Sequence, residues 1–139
     1  MSGGGDARLL GRWGEGLVAG DLRRQGWQVL HMNYRCRFGE LDVIAQDGRY
    51  LAFVEVKLRR SGAFAPARAF VTAEKQRRLR LTAEYYLLSH PTDLQPRFDV
   101  AEVYAPEGLA TRAPEIHYYP NAFCRAGTEG DYHECIMPF

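Results

Sequence analysis

No apolar run in this sequence approaches the roughly 20 residues that a helix needs to cross a bilayer, so a membrane-spanning protein is not expected. The N-terminus, Met1 to Asp6, lacks the basic segment followed by an apolar one that marks a secretory signal, and a cytoplasmic location is the expected one. Cysteine is scarce and unpatterned. The three cysteines, Cys36, Cys124 and Cys135, are odd in number and show no CxxC spacing, which argues against a disulfide framework and a zinc ribbon. His133 with Cys124 and Cys135 is only a partial metal set without an evident fourth ligand. Repeats and linker-like stretches are also missing. With 139 residues, 46% of them hydrophobic and 25% charged, the chain fits one globular domain. That domain is expected over residues 1–123, and residues 124–139, rich in Gly and polar side chains, read as a flexible tail.

Net charge is nearly absent too, at +1, but this balance conceals an asymmetry. Residues 57–80 carry Lys57, Arg59, Arg60, Arg68, Lys75, Arg77, Arg78 and Arg80 against the single acid Glu74, whereas residues 81–139 hold nine acids against three bases. A basic stretch of this kind suits a polyanion such as nucleic acid, because phosphates supply most non-specific affinity. By itself it also fits a solvated helix face.

Periodicity gives the element order. Leu9 to Gln25 reads as a helix with Leu10, Trp13, Leu17, Val18 and Leu22 on one stripe, Arg23 and Arg24 in the last turn and Gly26 as terminator. Glu15 falls at the border of that stripe, placed to reach a site on a sheet. Trp27 to Asn33 is the first expected strand. Leu41 to Gln46 and Arg49 to Leu58 form a hairpin around Asp47-Gly48, a pair that tolerates positive φ. A loop over 61–70 leads to a second helix with Thr72 as N-cap and Leu79, Ala83, Tyr86 and Leu87 as its apolar stripe. Phe98 to Tyr104 and Glu115 to Tyr119 read as two further strands.

The hairpin carries the chemistry. If Gln46 pairs with Arg49, then Ile44 faces Leu51, Asp42 faces Phe53 and Glu40 faces Glu55, with all six side chains on one face. Asp42 and Glu55 become diagonal neighbours about 7 Å apart, near enough to share a divalent cation. Lys57 follows on the same face. Burying these charges unpaired would cost several kcal/mol per ion, so the cluster calls for a metal, an ion-pair network or water. Glu40 is open to three roles: an outer-shell carboxylate, a second metal ligand, or the preferred one, a partner for Arg35 or Arg37. Arg97 and Asp99 alternate onto one face and read as a structural pair. Lys75, one turn before Leu79, is expected to point inward, within reach of a phosphate.

The order helix, three strands, helix, strand, with Glu15, Asp42 and Glu55-Val56-Lys57 in place, resembles the PD-(D/E)XK nuclease superfamily. It is more closely similar to the YraN-like UPF0102 family of small bacterial proteins, which look like archaeal Holliday-junction resolvases. The matching blocks are Gly11 to Ala19, Asn33 to Ala45, Phe53 to Arg59, Val71 to Lys75, Arg97 to Val100 and Asn121 to Phe123. Gly39-Glu40-Leu41-Asp42 followed by Phe53-Val54-Glu55-Val56-Lys57 is the specific part; an isolated ExK would carry almost no information.

The resemblance implies an α/β, restriction-endonuclease-like core (α-β-β-β-α-β), a mixed sheet flanked by helices. It implies that Asp42, Glu55 and the carbonyl of Val56 bind Mg²⁺ or Mn²⁺, that Lys57 positions the attacking water or stabilises charge on the phosphate, and that Glu15 completes the site. Hard oxygen donors suit these ions better than zinc. DNA, branched or otherwise structured, is the implied substrate, with Arg59, Arg60, Lys75 and Arg78 along its backbone and a homodimer matching two-fold junctions. Two other readings stay open: a non-catalytic nucleic-acid-binding protein, and a scaffold whose carboxylates form a structural network.

Overall fold

The computed structural model describes residues 3–60 and 71–123, with side chains from Ala7 onward. The expected loop over 61–70, the tail over 124–139 and the partial set Cys124, His133 and Cys135 lie outside the described residues.

Helix α1 spans Gly3–Arg24, starting six residues before the expected Leu9. It ends at Gly26, whose φ of 95° is cheap only without a side chain. The Trp27 N–H then returns to the Leu22 carbonyl at 3.0 Å, closing the last turn. Strands β1 (Gln28–Cys36), β2 (Gly39–Gln46) and β3 (Tyr50–Arg59) follow, then helix α2 (Ala73–Ser89), β4 (Gln95–Tyr104), a short 3₁₀ turn over Gly108–Ala110 and β5 (Glu115–Phe123). Thr72 caps α2 as expected, its hydroxyl accepting from the Lys75 N–H at 3.1 Å.

The five strands form one open sheet in chain order, antiparallel except for the parallel pair β3–β4. A parallel pair needs a long crossover, and α2 supplies it. The two helices cover opposite faces. Leu79, Ala83 and Tyr86 of α2 pack with Leu41, Ile44, Leu51, Phe53, Phe98 and Val100. Val18 and Leu22 of α1 pack with Val43, Ala45, Ala52, Val54, Ala101 and Val103. This is the expected α-β-β-β-α-β core with one more strand on the far edge of β4. Among the described residues no helix is long and apolar enough to cross a membrane.

The hairpin register differs from the expected one by two residues. Gln46 opposes Leu51, Ile44 opposes Phe53 and Val43 opposes Val54. The cause is local. The Asp47 carboxylate accepts from the Arg49 and Tyr50 N–H groups at 2.8 and 2.7 Å while the Asp47 N–H donates to the Tyr50 carbonyl at 3.1 Å, so Asp47 faces Tyr50 across the turn, and neither Asp47 nor Gly48 adopts positive φ. A two-residue shift preserves which face each side chain takes. Continued by one step, the observed register sets Asp42 opposite Glu55 rather than diagonal to it.

Strict alternation also fails, at Asp42. Leu41 and Ile44 join the same core cluster, on the α2 side, although alternation would part them. On the neighbouring strand, Asn33 takes φ 55°, a conformation that Asn accepts more readily than most residues. This irregular stretch reaches to where the β2–β3 pairing stops, at Val43 and Val54.

Candidate active site

Where β2 and β3 part, the Val56 N–H meets the Asp42 carboxylate, Oδ2 at 2.9 Å, instead of a strand carbonyl. Asp42 thereby fills a gap in the ladder while facing Glu55. Glu55 is only 7% exposed, and its Oε2 receives the Lys57 ammonium at 3.4 Å and the Lys75 ammonium at 2.6 Å. Glu15 approaches from α1, on the opposite side of the sheet from α2. Its Oε1 is buried and has no hydrogen-bond partner. Beside it, Gly14 lets α1 come close to the sheet: a Cβ there would lie 2.6 Å from a Leu58 methyl.

The electrostatics follow from the crowding. Burial, then the Glu55 charge, pushes the Asp42 carboxyl up to about 8, against the Val56 N–H, which favours the anion. Burial also raises Glu15, helped by the Glu40 charge and opposed by Asn33. Lys57 is lowered by burial despite Glu55, with Lys75 adding to the effect. For Lys75 burial works the same way, but the hydrogen bond and charge of Glu55 outweigh it and the net shift is upward. The result is a cluster in which two carboxylates, Asp42 and Glu15, are disfavoured as anions.

Asp42, Glu55 and Lys75, but not Glu15 or Lys57, line a groove of about 380 Å³ together with Arg35, Cys36, Gly39, Glu40, Arg78 and Leu79. Gly39 takes φ 155°, and a Cβ there would meet the Thr82 hydroxyl of α2 at 3.0 Å. Glycine here lets the Glu40–Asp42 segment run close under α2. Glu40 forms the ion pair favoured from the sequence, its Oε2 3.5 Å from Arg35 Nε.

The basic residues divide. Lys75 and Arg78 line the groove, Lys75 already engaged by Glu55 and Arg78 exposed beside Glu74. Arg59 instead pairs with the buried Glu102 at 3.1 Å, and Arg60 lies against the 3₁₀ turn, near enough that a Cβ on Gly108 would be 3.1 Å from its Nη2. Of Arg59, Arg60, Lys75 and Arg78, the last two line the groove, while a buried carboxylate 43 positions away holds Arg59. Sequence reasoning also missed Asn33 beside Glu15, Gly39, and Arg35 as part of the groove wall. The only signal for the first was the tolerance of Asn for positive φ.

Among the described residues, no three Asp, Glu, His or Cys side chains form a ready-made cation cage. The residues present nonetheless fit a hard divalent ion. The donors are carboxylate oxygens, Asp42 and Glu55 repel one another across the gap, and a third carboxylate oxygen, on Glu15, is buried without a partner.

The fold is that of an α/β protein with an open five-stranded mixed sheet between two helices, in the order of an α-β-β-β-α-β core. Residues 14–103 match the family described as "Uncharacterised protein family UPF0102". A UPF0102 protein of Syntrophotalea carbinolica is 45% identical over 115 residues, covering 82% of this chain and 90% of that one. Those of Caldicellulosiruptor saccharolyticus and Geobacter metallireducens are each 39% identical over 117 residues, 84% of this chain and 98% and 93% of theirs. The chain belongs to the UPF0102 family, which is YraN-like.

Proposed function

We propose that the protein is a metal-dependent endonuclease that hydrolyses phosphodiester bonds of DNA. The observation that carries the reading is the meeting of Asp42, Glu55 and Lys57 at the gap between β2 and β3, with the unpartnered oxygen of Glu15 behind them. A fold alone would not support it, since function resides in sites. Mg²⁺ or Mn²⁺ held by Asp42, Glu55 and the Val56 carbonyl would supply an acidified water and a polarised phosphoryl oxygen.

The chain's own residues do the rest. Lys57, tethered to Glu55, orients the attacking water and balances charge building on the phosphate. Glu15 offers a free acceptor for a water or an outer ligand. Arg78 and Arg35, at the groove wall, attract the phosphate backbone. Branched or otherwise structured DNA and a two-fold dimer are the substrate and assembly that belong with this reading, in the cytoplasm.

The test is purified protein against single-stranded, duplex, flap and four-way-junction DNA with Mg²⁺, Mn²⁺ or EDTA, beside Glu55→Ala. The expected outcome is cleavage that needs the metal and falls to background in the variant. Equal cleavage by the variant refutes the proposal.

One observation favours a second reading, a nucleic-acid-binding protein without catalysis. Lys57 and Lys75 already neutralise Glu55, as in a structural ion-pair network. DNA binding that weakens with salt, ignores Mg²⁺ and leads to no cleavage selects it.

A further inference from the structure

Two ammonium groups converge on a single carboxylate oxygen in this site, which is one cation more than Glu55 needs. They are not equivalent. Lys57 sits on the same strand as Glu55, two residues on, with its side chain 20% exposed and its Nζ at 3.4 Å. Lys75 reaches in from the first turn of α2, is 36% exposed and makes the tighter contact, at 2.6 Å. Its backbone is pinned by the Thr72 cap, but its stem lies along the open groove. Lys75 therefore has somewhere to go, and Lys57 has less room.

We propose that Lys75 is a built-in stand-in cation: it holds Glu55 in the metal-free protein and has to leave that oxygen before a divalent ion can bind there. This rests on the metal-dependent reading above. Once Asp42 gives up its proton to admit a metal, Lys57 and Lys75 balance the Asp42–Glu55 pair, so the divalent ion brings two surplus charges to that pair. Ammonium and metal at one oxygen would repel strongly over so short a distance. Release of Lys75 removes half of that surplus. The freed ammonium remains in the groove that Arg35 and Arg78 also line, where a phosphate is its natural counter-charge. Seating Lys75 on Glu55 thus lowers apparent metal affinity by the fraction of time that it is seated.

The experiment is calorimetric titration of Mn²⁺ into the full chain, comparing wild type, Lys75→Met, Lys75→Arg and Glu55→Gln, with circular dichroism to verify folding. Lys75→Met is expected to bind Mn²⁺ about tenfold tighter or more, the gain if Lys75 is seated more than nine-tenths of the time. Lys75→Arg, which keeps the charge, stays near wild type. Should the methionine variant fail to fold, Lys75→Gln keeps a donor to Glu55 without the charge and is expected to tighten binding in the same direction. Binding by the neutral variants no tighter than wild type overturns the proposal and leaves the metal site standing. Mn²⁺ binding that survives in Glu55→Gln, or is missing from wild type and the neutral variants alike, removes the metal reading itself and the proposal with it.

Discussion

Asp99 and Asp42 are both carboxylates set into the same sheet, and their surroundings differ in kind. Asp99 is completely buried and accepts from Arg97 Nε and Nη2 at 3.0 Å each, from the Asn121 N–H at 2.8 Å and from the Tyr118 hydroxyl. Arg97 is in turn sandwiched by the rings of Tyr50 and Trp27, 4.5 and 5.3 Å from their centroids. Asp42 has a single backbone donor, and faces three carboxylates that it repels, Glu55, Glu15 and Glu40. The first is a closed network that fastens β5 to β4. The second is open, and an open buried carboxylate cluster is the arrangement that a cation would complete.

The contrast breaks most visibly if Asp99 proves dispensable. Asp99→Ala strips the carboxylate from Arg97 and leaves the Tyr118 hydroxyl and Asn121 N–H without their acceptor, and should cost about 3–5 kcal/mol. Urea denaturation measures it, and a loss below about 1 kcal/mol would mean that the network contributes little. Tyr118→Phe removes one donor from the same carboxylate and should cost about 1.5–3 kcal/mol, with no change in any cleavage activity. Burial and the adjacent Asp99 charge hold the Tyr118 phenol above its ordinary range, so this cost should not vary with pH below 10.

Much of this difference could be read from residues close together in sequence. The Arg97–Asp99 pair, two positions apart on one strand, follows from alternation, and the Glu40–Arg35 pair from a short turn. Thr72 and Gly26 act at helix ends through local backbone geometry, so their roles were legible as well. The failures share a cause. The hairpin register was decided by one Asp47 side chain capturing two N–H groups, which competes with a positive-φ turn on nearly equal terms. The slip at Asp42 lies opposite Asn33 in the neighbouring strand, and the pairing of Arg59 with Glu102 depends on β4. Lys75 was legible as inward-pointing, but its landing on Glu55 depends on how α2 docks across the sheet. Outside the slip between Leu41 and Ile44, pattern reports which face a residue takes; the partner it finds there is set by tertiary packing.

The last prediction tests the open cluster itself, through its pH dependence. Asp42 has a folded-state pKa of about 8, above the ordinary carboxylate value of 3.8, so between these values the folded protein retains a proton that the unfolded chain has released. The native state is therefore favoured at low pH and loses stability as pH rises through that window. Asp42→Asn keeps an oxygen for the Val56 N–H and carries no proton to lose. Its advantage over wild type in metal-free buffer should widen steadily as pH rises from 5 to 8.5, as read from urea denaturation. Millimolar Mg²⁺ should narrow that margin at pH 8.5 by favouring the ionised wild-type carboxylate, while leaving the Asp99→Ala deficit unchanged. A margin that is flat with pH would place Asp42 with Asp99, as a satisfied structural group. A margin that widens with pH and contracts with metal would mark Asp42 as a carboxylate that the fold holds at a cost in stability for the sake of a cation.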